Sequence, residues 1–271
     1  MGIVLANGDS FTYGDELVGS RSPDGNDQHH HRTYVHKLAT SLDRRYVNLA
    51  VNGSSNMKIY RRTFDFLMRT TKDIDLLVIM WSNFGRFEIC EPYQVASDAE
   101  VFIHREASMN QIIPSHHRTN FQLKNFDHYE LKDDWMNTRY SILSDYVKNI
   151  LSMQTQITHT LCYMVHIQWL CDKLNIPVLQ GVIHGDMYGN ILNTLKLKNE
   201  GWDQYKEYII DKMRELRPEC KIGLGEYKDI YYMGEYNDDL KPMGHVGEKT
   251  HGQFASMLKD IITERNLDVT N

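Results

Sequence analysis

Ile3-Val4-Leu5-Ala6-Asn7-Gly8-Asp9-Ser10-Phe11-Thr12-Tyr13-Gly14 opens the chain with a short apolar run. A run of this kind makes a strand buried on both faces. It breaks at Gly8 into Asp9-Ser10, so Ser10 falls just past the carboxyl end of the strand. Open α/β sheets bind their ligands at that edge. The same residues also fit a βα turn in which Ser10 only caps the next helix.

Outward from this stretch the pattern repeats. A second apolar run at 46–51 ends in Asn52-Gly53-Ser54-Ser55-Asn56, and a third at 76–81 ends in Ser82-Asn83. A fourth, at 176–182, carries Pro177 at its start, where a missing N–H is tolerated. Strands are therefore predicted near 3–7, 46–51, 76–82 and 176–182, with a short fifth at 220–223. Tyr34, Val35, Leu38 and Leu42 have helical spacing and predict a helix over about 32–43. Ile59, Phe64, Phe66, Leu67 and Met68 mark a second helix, and Phe254, Met257, Leu258, Ile261 and Ile262 a C-terminal one. Helical periodicity also runs from 136 to 174, as one long helix or two. Residues 226–241 are polar and turn-like.

Alternating strands and helices imply parallel strands with right-handed crossovers. The expected fold is α/β, a flavodoxin-like, doubly wound sheet with strands 1 and 3 adjacent. The clusters at Gly8–Ser10, Gly53–Ser55 and Ser82–Asn83 then meet along one edge. From 84 to 135 the periodicity is lost, over a length too great for a plain connection. One domain over 1–271 is expected, with this insertion as a lid, a substrate-binding region or an interaction arm.

The bulk properties exclude several classes. The chain has 271 residues, 41% of them hydrophobic, a net charge of -6 and a pI near 6.1. That charge gives no general attraction to nucleic acid or to acidic membranes. Cys90, Cys162, Cys171 and Cys220 have no zinc spacing and fit reduced thiols. His29-His30-His31 is a loop triplet without a carboxylate or Cys at ligand spacing, so no metal is expected. No signal peptide and no run of 18 apolar residues is visible. The expectations are a cytoplasmic protein, no cofactor, and no membrane or nucleic-acid partner.

A serine hydroxyl is a weak nucleophile until a base takes its proton, and histidine suits that task near neutral pH. Preorganised donors must then stabilise the oxyanion. Gly8-Asp9-Ser10, Asn48-Leu49-Ala50-Val51-Asn52-Gly53-Ser54-Ser55, Trp81-Ser82-Asn83-Phe84 and the stretch from Gly244-His245 to Ala255 occur in the order of the sequence blocks of one family. Together they resemble the SGNH hydrolases, or GDSL esterase/lipase superfamily. The resemblance spans both ends of the chain but not 84–135. It implies the three-layer α/β/α fold of that family, with Ser10 as nucleophile and His245 as base. It also implies an oxyanion hole from the N–H groups of Ser10 and Gly53 and the Asn83 amide. His251 stands six residues after His245, as the family's second histidine does. Being at the start of the C-terminal helix, it is expected to serve structure.

The chain departs from the family at Trp81 and Phe84, where the third block has Gly and Asp, and at Pro242, where the triad Asp belongs. The group orienting His245 is then Asp239, Asp238 or a backbone carbonyl, with Asp239 favoured. Asn83 also fits a strand-end turn, and His245 a helix cap. The function implied is a serine esterase acting on an acyl ester, O-acetyl esters included, of a small molecule or carbohydrate. A transacylase using the same site, or a binding module without catalysis, stands as the alternative.

Overall fold

The computed structural model describes residues 2–15, 17, 31–70, 73–84, 86–94, 100–108, 153–184, 186–196, 203–241 and 244–269. Four parallel strands make the sheet: β1 (Ile3–Asn7), β2 (Arg45–Asn48), β3 (Ile74–Trp81) and, later in the chain, β6 (Val178–Val182). Their order is β2-β1-β3-β6, so strands 1 and 3 are adjacent as the alternation requires. The register sets Ala6 beside Asn48 and Val78, and Ile79 beside Gln180. From Leu76 to Trp81 every residue is buried.

The expected fifth strand shrinks to a single residue. The Ile222 N–H donates to Gln180 O at 3.1 Å, and the Val182 N–H donates to Ile222 O at 2.9 Å. Gly181 allows this approach, because a Cβ there would lie 2.5 Å from Ile222 Cβ. The second strand is also shorter than expected. Asn48 Oδ1 accepts the Ala50 N–H at 3.1 Å, and its Nδ2 donates to Thr12 O at 2.9 Å, which turns the chain. Regular pairing there gives way to isolated bonds, Leu49 N–H to Ala6 O at 2.7 Å among them.

The described α-helices are α1 (Ser10–Tyr13), α2 (Tyr34–Ser41), α3 (Asn56–Arg69), α4 (Met153–Leu174), α5 (Asp186–Lys196), α6 (Asp203–Glu215), α7 (Ile230–Tyr236) and α8 (Glu248–Glu264). The chain moves one way from β1 to β2 and the other way from β2 to β3 and β6. Right-handed crossovers therefore put the intervening helices on opposite faces. Accordingly α2 packs with α8, while α3 packs with α4 and α4 with α6, giving three α/β/α layers. Thr33 caps α2 and Ser55 caps α3 through side-chain oxygens, which is why the helices begin there.

Within 84–135 the structure adds an antiparallel hairpin, β4 (Arg86–Gln94) and β5 (Glu100–Ser108). Trp135 and the expected helix over 136–152 lie outside the described residues. So do His29 and His30. The turn-like segment 226–241 contains α7, capped by Asp229. Cys171 and Cys220 are buried free thiols, each pushed up to about 12 by burial. Among the described residues no helix is long and apolar enough to cross a membrane.

Candidate active site

Ser10 is the first residue of α1, and it does not cap that helix. Asp9 does, its Oδ1 accepting the Phe11 N–H at 3.1 Å. Gly8 is required before it, since a Cβ there would sit 2.2 Å from Thr12 Oγ1 and 2.9 Å from Met80 O. Among the described residues, Ser10 Oγ is buried with no hydrogen-bond partner. A buried polar group without a partner costs about 1–3 kcal/mol. Such an orphan is explained where a reacting molecule supplies the missing bond.

The turn around Ser10 is fastened from below. Asp9 is fully buried, and its Oδ2 accepts from Ser82 Oγ at 2.8 Å and from Arg86 Nη1 at 2.9 Å. The Ser82 N–H in turn donates to Asn56 Oδ1 at 2.7 Å. Asn56 Nδ2 donates to Ser82 O at 2.9 Å and to Thr160 Oγ1 at 3.0 Å. The strand-end clusters of β1, β2 and β3 therefore meet on one edge. Ser82 serves as a rivet between them, and Asn83, half-buried beside it, accepts the Arg86 N–H on its carbonyl at 3.1 Å.

Gly53 has φ 80, the left-handed conformation its turn needs. Its neighbour Asn52 donates from Nδ2 to Asp15 Oδ2 at 2.5 Å. The same Asp15 oxygen lies 3.9 Å from His245 Nε2. His245 projects from a short loop closed by the Leu240–Val246 bridge and by the Lys241 N–H donating to His245 O at 2.7 Å. Its ring sits 5.1 Å from that of Phe11, the residue after Ser10. On its other side Phe11 faces Tyr231 at 6.1 Å, and Tyr231 stacks on His184 at 4.1 Å. Ser10, the Gly53 turn and His245 thus share one edge of the sheet.

The carboxylate of Asp239, the acid expected to orient His245, is bonded to the start of α8. Its Oδ2 accepts the Thr250 N–H at 2.8 Å and so caps the first turn of α8. The Gly247 N–H donates to Asp239 O at 2.7 Å, so backbone and side chain grip the same helix end. Asp238 is exposed, with φ 51. The acids around the edge that spacing did not single out are Asp9 and Asp15. They flank the Ser10 turn in sequence, Asp9 just before it and Asp15 just after, but their partners Arg86, Asn52 and His245 are distant in the chain.

His251 is buried, accepts the Tyr34 N–H on Nδ1 at 3.1 Å and stacks on the Tyr34 ring at 5.9 Å. Burial pushes its pKa down to about 3 from the ordinary 6.5. A proton then binds the unfolded chain more readily than the folded one. The neutral ring's contribution is whole above pH 6.5 and is lost as pH falls toward 3. The expected slope is about 1.4 kcal/mol per pH unit, or about 2 kcal/mol between roughly pH 6.5 and 5. Urea unfolding across that window measures it. His251→Asn keeps an acceptor for Tyr34 and removes the slope; a wild type whose stability is flat there would contradict the assignment.

No family model matches the chain. None of the curated proteins matches it either. Among solved structures it is similar to the psychrotrophic esterase EstA from Pseudoalteromonas sp., at 10% identity over 98% of each chain with a TM-score of 0.43. It is similar to TesA at 12% identity over 97% of this chain and 98% of that one, TM-score 0.47. A catalytic mutant of Axe2, an acetylxylan esterase from Geobacillus stearothermophilus, has 11% identity over 100% and 96% of the chains, TM-score 0.41. Likeness of this degree carries no argument about residues or substrate.

Proposed function

We propose that the chain is a serine ester hydrolase of the SGNH kind, with Ser10 as nucleophile and His245 as general base. One observation carries the reading: the buried Ser10 hydroxyl, without a partner among the described residues, at the carboxyl edge of a parallel sheet. The nearby His245 loop and the Gly53 turn support it.

In this reading Ser10 Oγ attacks the carbonyl carbon of a bound acyl ester while His245 takes its proton. The oxyanion is met by the N–H groups of Ser10 and Gly53 and by the Asn83 amide. One such donor is worth about 2.7–4 kcal/mol. His245 returns the proton to the departing alcohol. Water then attacks the acyl-serine with the same base, and the acid leaves. Asp239 holds α8 in place and lies outside this chemistry. Selection of the substrate, a small-molecule or carbohydrate ester, is assigned to the insertion 84–135, most of which lies outside the described residues. Its support is that the hairpin begins at Arg86, three residues beyond Asn83.

The test is hydrolysis of p-nitrophenyl acetate, p-nitrophenyl butyrate and an acetylated monosaccharide, with released acid titrated with and without glycerol. Acid release matching alcohol release is expected. An acylated glycerol product would make the enzyme a transacylase, and no turnover of any ester would overturn the reading.

A further inference from the structure

We infer that Asp15 is the positioning residue for His245, supplying the counter-charge that the expected acids do not. The inference rests on the Ser10–His245 reading above. Asp15 is tied to the nucleophile's own turn, because its N–H donates to Ser10 O at 2.9 Å. The Gly14 N–H donates to the same oxygen at 2.9 Å, and Gly14 has φ 89, so the chain folds back after one turn of helix. This geometry aims the Asp15 carboxylate at the His245 loop.

Among the described residues the carboxylate meets two side chains from distant parts of the chain. Oδ2 accepts from Asn52 Nδ2 at 2.5 Å and lies 3.9 Å from His245 Nε2. At 3.9 Å the contact to the ring is electrostatic rather than a hydrogen bond. Both side chains are mostly shielded, at 23% exposure for Asp15 and 14% for His245, so solvent screens the attraction less than on an open surface. When Ser10 gives up its proton, the imidazolium that forms faces a fixed negative charge. His251, also within electrostatic reach of His245, is neutral and buried and offers no competing charge. Asp239 is committed to the α8 terminus. Through Asn52, Asp15 also braces the turn that presents Gly53, so one carboxylate couples the base to the oxyanion donor.

The test compares wild type, Asp15→Asn, Asp15→Glu and Asp239→Asn for ester turnover and for the rate of labelling by a fluorophosphonate. Asp15→Asn is expected to lower kcat and the labelling rate by roughly 10²-fold or more, with KM within about threefold. Asp15→Glu should recover part of the rate, and it carries the test if the Asn variant does not fold. Asp239→Asn should keep kcat and move the urea midpoint little, because asparagine caps a helix about as well as aspartate. A labelled wild type with an Asp15→Asn variant labelled equally fast would overturn the role of Asp15 alone. So would an Asp15→Glu variant no faster than Asp15→Asn. A wild type that takes no label would overturn the hydrolase reading and this inference with it.

Discussion

Ser10→Ala is expected to abolish ester turnover and to leave the protein at least as stable as before. The two effects have one cause. The hydroxyl is buried and has no hydrogen-bond partner, so it costs stability in the resting protein. Removing it relieves about 1 kcal/mol or more of that penalty, at the loss of the packing contacts of one atom. Its catalytic loss is far larger. Without Oγ no acyl-enzyme forms, and kcat is expected to fall by roughly three orders of magnitude or more. The residual rate reflects the oxyanion donors and binding alone. KM should change little, since the hydroxyl acts on the reacting carbon. A serine kept for structure behaves oppositely, losing stability on truncation and leaving turnover untouched. Parallel urea titrations and progress curves of the two proteins separate these cases. Unchanged kcat, or a clear fall in the unfolding midpoint, would contradict the assignment.

The second large effect is on folding. Arg86→Ala is expected to cost about 3 kcal/mol, the low end of the range for stranding one member of a buried ion pair. Asp9 is fully buried, whereas the Arg86 side chain is 28% exposed, so the stranded charge is the carboxylate. The Phe11 N–H and Ser82 O–H remain as donors to it, which keeps the loss from being larger. The corresponding fall in Tm is roughly 6–12 °C. Asp9→Asn in the same chain removes the stranded charge and should return part of the loss. A double variant no better than Arg86→Ala would show that the ion pair is not the source. The pair joins the root of the β4–β5 hairpin to the cap of α1, so disturbing it should also lower kcat through Ser10. Arg86→Lys, which keeps the charge but loses the fork of the guanidinium, should fall between wild type and Arg86→Ala on both measures.

What the sequence makes legible follows local physics. The runs in β1 and β3 are buried on both faces and announce themselves as unbroken apolar stretches. The small residues that end them are readable too, because sharp turns and capping demand them, as at Gly8, Gly53 and Ser55. Burial of His251 follows from its place on the inner face of a helix whose Phe254, Ala255 and Leu258 are also buried. α7 is hidden because Tyr232, Glu235 and Tyr236 are exposed and its described core contribution is Ile230 and Gly234. Asp239 illustrates the harder failure. It is the nearest acid before His245 in sequence, but a helix N-terminus with N–H groups to satisfy lies close by and takes the carboxylate. Asp15 stands 230 positions from His245, and nothing in the spacing of either residue joins them. Only the fold, which carries β1 and α8 to the same edge, brings that pair together. Arg86 is equally silent in sequence, as it opens a stretch with no periodicity and finds Asp9 across the end of β3.

The central claim is that Ser10 is a nucleophile. Mass spectrometry of the wild-type protein after incubation with a fluorophosphonate, followed by peptide mapping, tests it most directly. The expected result is a single covalent phosphonyl adduct on the peptide holding Asp9-Ser10-Phe11, slowed in His245→Ala and absent in Ser10→Ala. An unmodified protein, or an adduct mapped to any other residue, would contradict it.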